Sequence, residues 1–146
     1  MGASMWDYIT PFQPDLAAAL QALRRQVFEE QEYYFLPGDD GWPQTMEQLS
    51  ADEEVHYTGT HSILDISRVI GPDEPDDYGT LRPLRPTEQL RYFGSQTPSR
   101  DDFLHAYGQR GPRTLVLQGV RWSGYCTPLF ADGKPMEIAI WGFSGD

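Results

Sequence analysis

Three histidines (His56, His61 and His105) and one cysteine (Cys126) are the only imidazoles and thiol in this chain of 146 residues. His56 and His61 stand five positions apart, close to Asp52, Glu53, Glu54 and Asp65. Two imidazoles and a carboxylate form a set a transition metal accepts, which makes His56 and His61 the candidate metal ligands. Their spacing fits no ligand pattern, and H-E-x-x-H is absent. On a continuous helix, five residues turn through about 140°, so the two rings would diverge. The sequence therefore assigns no metal site and no cofactor.

His61-Ser62-Ile63-Leu64-Asp65 contains the residue types of a hydrolytic triad. In a strand, Ser62 points away from His61 and Asp65, and those two stand about 13 Å apart. In a helix, His61 and Asp65 become neighbours one turn apart, and the carboxylate can orient the imidazole. Neither geometry supplies a nucleophile, so His61 and Asp65 remain candidate catalytic residues without a completed set. Cys126 has no partner for a disulfide, and no C-x-x-C pair exists, so it reads as a small apolar residue near a strand. Asp39-Asp40 and Asp73-x-x-Asp76-Asp77 do not follow the calcium-loop pattern of an EF-hand and read as exposed acidic loops. No G-x-G-x-x-G and no phosphate-binding P-loop occurs.

Charge is the more informative feature. The chain carries a net −11, and it is unevenly spread. No Lys or Arg lies between Gln26 and Ser67, and residues 26–78 hold fourteen carboxylates against the single Arg68. Residues 79–146 are slightly basic, with eight cations and six carboxylates. A field of this sign repels nucleic acid and anionic membrane and attracts cationic proteins. Acidic side chains also keep a protein in solution with no partner at all. Arg82, Arg85, Arg91 and Arg100 either pair with the acidic half or read a phosphate or carboxylate.

Tyr33, Tyr34, Phe35, Trp42 and Tyr57 are interleaved with the acidic stretch. Acid beside aromatic is a surface suited to gripping a basic protein. The expected partner-binding set is Asp39, Asp40, Trp42, Asp52, Glu53 and Glu54, and the expected role is a protein-binding module. Its most concrete form is an inhibitor of the immunity or antitoxin type, with which the chain shares character (small, acidic, α+β) and no motif. The alternative is a small enzyme, or a metabolite- or metal-binding domain, with a pocket around His61, Asp65, Tyr34 and Trp42. A third reading makes the aromatics a self-complementary face of a homo-oligomer.

These groups need a scaffold. Aromatic residues are 13% of the chain, too many for a disordered acidic tail. The length fits one α+β domain over 5–146, with Met1–Ser4 expected to be an appended remnant. No charged leader and no apolar span is visible, so a cytoplasmic location is expected. An amphipathic helix is expected over 14–31 with Pro14 in its first turn, then a strand over 33–36 and a loop over 37–43. A short acidic helix in 45–55 follows, with capping boxes at Thr45–Gln48 or Ser50–Glu53. The β-branched run favours a strand over 62–66, and another is expected over 78–84. Helices over 86–93 and from a Thr97 cap to Tyr107 precede strands at 114–117 and 125–130. Asp132-Gly133 then turns a C-terminal hairpin, in an antiparallel sheet whose last aromatics, Trp141 and Phe143, dock on the body.

Overall fold

The computed structural model describes residues 5–109 and 121–145. The architecture is α+β. Five strands form one sheet: β1 (Met5–Pro11), β2 (Arg68–Val69), β3 (Thr80–Pro83), β4 (Ser123–Ala131) and β5 (Lys134–Phe143), in the order β1-β5-β4-β3-β2. Among the described residues five α-helices accompany them: α1 (Leu16–Glu29), α2 (Met46–Ser50), α3 (Glu53–Thr58), α4 (Pro86–Phe93) and α5 (Arg100–Gln109).

The sheet is mixed, which corrects the antiparallel expectation. β1 and β4 run antiparallel to β5, whereas β3 runs parallel to β4 and β2 parallel to β3. A parallel return needs a long crossover, and α4 and α5 occupy the connection between β3 and β4. The hairpin of β4 and β5 turns at Asp132-Gly133, whose φ angles of 53° and 76° are those a tight hairpin requires. β1 is an edge strand, paired with β5 from Met5↔Phe143 to Pro11↔Glu137.

Both faces of the sheet are covered. Ile138 and Ile140 of β5 pack with Ala19, Leu20, Leu23 and Val27 of α1 and with Ile63 and Ile66. The alternate residues Ala139 and Trp141 pack with Tyr92 of α4 and Phe103 of α5. The period of two along β5 thus feeds two cores, and Trp141 is fully buried, while Phe143 is half-buried.

Several local expectations shift for identifiable reasons. α1 begins at Leu16 because Asp15 caps it, accepting from the Ala18 amide at 3.1 Å, so Pro14 lies before the helix. The expected 33–36 strand is extended but has no ladder; the Tyr34 amide donates to the Thr60 carbonyl at 2.8 Å. The single acidic helix divides into α2 and α3. Thr45 caps the first, at 3.1 Å to the Gln48 amide, and Asp52 rather than Ser50 caps the second. The strand expected over 62–66 is a 3-10 turn, Ile63–Asp65, started by the Ser62 hydroxyl on the Leu64 amide; its β-branched residues serve the core instead of a ladder. β3 is shorter than 78–84. α5 is opened by Ser99 and Asp102, which exchange side chain and amide bonds at 3.1 and 2.9 Å, and not by Thr97. The strand expected at 114–117 lies outside the described residues.

Candidate functional site

After α1 the chain turns at Gln31, with φ of 54°, and runs extended through Tyr33–Leu36. Alternation then sorts the side chains. Tyr33 is buried and Phe35 half-buried, while Tyr34 and Leu36 are exposed by 44% and 69%. Tyr33 stacks on Phe28 of α1, with centroids 6.0 Å apart, and meets Trp42 in a T-shaped pair at 5.3 Å. Trp42 leans on Phe35 at 5.4 Å and 41°. The rings fasten the loop to α1, so Trp42 is held from behind.

Between Leu36 and Trp42 the chain makes a tight turn. The Gly41 amide donates to the Gly38 carbonyl at 3.1 Å, and Gly41 takes φ of 73°, which favours glycine. Asp39 and Asp40 are displayed at its tip, both exposed. Opposite stands the start of α3, where Asp52 Oδ1 accepts the amides of Glu54 and Val55 at 2.9 and 3.3 Å.

A cavity of about 390 Å³ opens between these two parts, with Phe35, Asp40, Trp42, Gln48 and Asp52 in its lining. Asp52 and Glu54 also line an adjoining cleft with Tyr34 and Leu36. Of the six expected partner-binding residues, Asp40, Trp42 and Asp52 therefore share one cavity. Asp39 sits on the same turn as Asp40, Glu54 lines the neighbouring cleft, and Glu53 is exposed on α3, which also presents Tyr57 at 78% exposure.

The imidazole and carboxylate candidates have other engagements. His56 Nε2 lies 2.6 Å from the Ser50 carbonyl oxygen. His61 takes φ of 53° and stacks on Tyr34 at 4.9 Å, with its Nε2 buried and without a hydrogen-bond partner among the described residues. It therefore belongs to neither the strand nor the helix considered for it. Asp65 Oδ1 accepts the amide and hydroxyl of Thr60 at 2.8 and 2.9 Å, and Oδ2 accepts the hydroxyl of Ser144. Ser144 in turn accepts from the Trp6 indole at 3.3 Å. Ser62 is fully buried, its hydroxyl 2.7 Å from that of Thr60. This arrangement is a fastening of loop, turn and chain end. Tyr34 and Trp42 line separate cavities. Among the described residues, no group of three or more His, Cys, Asp or Glu converges as metal ligands.

Sequence reading left open what the arginines do; the structure pairs Arg82 internally. Only 5% exposed, Arg82 donates from Nε to Asp76 Oδ1 at 2.7 Å and grips Glu88 with both terminal nitrogens at 2.7 and 2.9 Å. Tyr125 donates to Asp76 Oδ2 at 3.0 Å, and the guanidinium lies 5.1 Å from the centre of the Tyr125 ring. Burial pushes the Glu88 carboxyl up, yet the bonds from Arg82 and the Arg85 amide bring it down to about 2. Hydrogen bonding to Glu88, opposed by burial, raises Arg82 further. Arg24 is also committed, donating to the carbonyls of Leu64 and Ile66. The signal for Arg82 was present as the acidic 71–78 loop and as Glu88 in a first-turn position, but no spacing joins them.

No family model, curated protein or solved structure gives a match to this chain. Among the described residues, no helix is long and apolar enough to cross a membrane.

Proposed function

We propose that this protein is a protein-binding module that engages a basic partner through the face built from Tyr34 to Thr58. One observation carries the reading: exposed Tyr34, Leu36 and Tyr57 stand among the carboxylates of Asp39, Asp40, Asp52, Glu53 and Glu54. Interfaces draw their energy from a few aromatic anchors, while charge steers encounter and selects the partner. The segment 26–67 itself carries no Lys or Arg. Neutralisation of a basic toxin, in the manner of an immunity or antitoxin protein, is the concrete form of the proposal.

The test uses a variant carrying Asp52→Asn, Glu53→Lys and Glu54→Lys. Asparagine keeps the helix cap, so the change falls on charge. Immobilised wild-type protein is expected to retain a basic protein at low salt and release it at high salt, and the variant to retain far less. A specific partner held equally by both proteins at both salt concentrations overturns the reading.

A further inference from the structure

We propose that the cavity between the Trp42 loop and the start of α3 receives one arginine side chain of the partner. This rests on the protein-binding reading above and narrows it to a residue type and a seat. At about 390 Å³, the cavity falls at the lower end of the range of small-ligand sites.

Its lining residues are of two kinds, and that difference selects the occupant. The aromatic part of the lining is Phe35 and Trp42, with Tyr33 in a T-shaped pair with the indole at 5.3 Å. Trp42 is thus positioned before any ligand arrives. Asp40 and Asp52 belong to the same lining, and neither takes part in a salt bridge among the described residues. The amides of Glu54 and Val55 bond Asp52 Oδ1, which fixes that carboxylate in place.

A guanidinium satisfies both kinds at once. Its flat face stacks on an indole, and its forked donors reach carboxylates at the edge. An ammonium is compact and strongly hydrated, so it loses more water for the same contact. Arg82 shows the same chemistry inside this fold, with carboxylates at its edge and the Tyr125 ring against its face. The segment 26–67 that builds the cavity has no cation of its own to fill it.

The experiment titrates isotope-labelled full chain with the peptide acetyl-Gly-Arg-Gly-amide and with its lysine and citrulline counterparts, followed by two-dimensional NMR. The Trp42 indole N–H and the amides of 40–42 and 44 are expected to shift saturably with the arginine peptide. Lysine should bind at least about fivefold more weakly, and citrulline, which lacks the charge, should leave these signals in place. Asp40→Asn should weaken the arginine peptide by about tenfold, the loss expected for one charge-assisted contact. Equal responses to lysine and arginine, or arginine shifts that bypass Trp42, overturn the proposal. Octalysine titrated into the same sample separates the two readings. Shifts at Glu53 and Glu54 with no arginine response at Trp42 overturn the arginine seat and leave the acidic face standing. No response to any cationic peptide overturns both.

Discussion

The hydroxyl of Ser144 donates to Asp65 across 79 positions of sequence, beside the two bonds that Asp65 accepts from Thr60. The carboxylate is the acceptor on which the turn before β2 and the end of β5 meet. Asp65→Ala strands an amide and two hydroxyls and is expected to cost about 2–3 kcal/mol in denaturant unfolding. Ser144→Ala should cost about 1 kcal/mol, and the double variant less than the sum, because both changes break one network. Strict additivity would show that the contact contributes nothing.

Arg82 is the donor at the centre of a second buried network. Arg82→Met leaves Asp76 and Glu88 half-buried with their main counter-charge gone, and a loss of about 3–5 kcal/mol is expected. The experiment is urea unfolding at neutral pH. A loss below about 1 kcal/mol would mean that water replaces the guanidinium at no cost.

Glu88 gives this network a pH signature. Its carboxyl is held at about 2, below the ordinary 4.5. A depressed carboxyl stabilises the fold above its unfolded value, and that contribution fades as pH falls from about 4.5 towards 2. At most about 3 kcal/mol is at stake. Unfolding free energies measured down this window should decline in the wild type and decline less steeply in Glu88→Gln.

Two glycines share a φ but differ in ψ, 178° at Gly59 and 10° at Gly94, so Gly59 combines a glycine-only backbone with crowding. Gly59 and Gly94 both take φ of 74°, but a Cβ at Gly59 would lie 2.4 Å from the Trp122 ring, whereas Gly94 faces open space. Gly94→Ala should lose about 1–2 kcal/mol, the cost of left-handed backbone alone. Gly59→Ala should lose measurably more, read as a larger drop in Tm.

Cys126 lies fully inside the sheet, and burial pushes its thiol up to about 12. It should resist a disulfide reagent at pH 8 in the native protein and react at once in urea. Rapid native labelling would show that the strand opens locally.

What the sequence disclosed follows from range. The apolar period of Ala19, Leu20, Leu23 and Val27 marks α1, and Asp132-Gly133 marks the hairpin, because both signals are local. β2 has two residues and β3 four, too few to display a period, so the parallel half of the sheet could not be foreseen. Composition located the acidic aromatic stretch. It could not separate the inward rings Tyr33, Phe35 and Trp42 from outward Tyr34 and Tyr57, since that sorting depends on Trp42 folding back onto Tyr33. Ser144 reaches Asp65 across 79 positions, and Asp76 and Glu88 stand six positions to either side of Arg82, a separation that matches no helix or strand period.

The pairing of β1 with β5 also governs how fast the molecule assembles. Trp6 and Ser144, bonded beside that pairing, are 138 positions apart. Closing a loop of that length costs about 4 kcal/mol of chain entropy before the contact returns anything. Folding should therefore be limited by the search that brings these distant strands together, on the slow side for a chain of this size, and α1 should gain lasting protection only once β5 gives it a surface to cover.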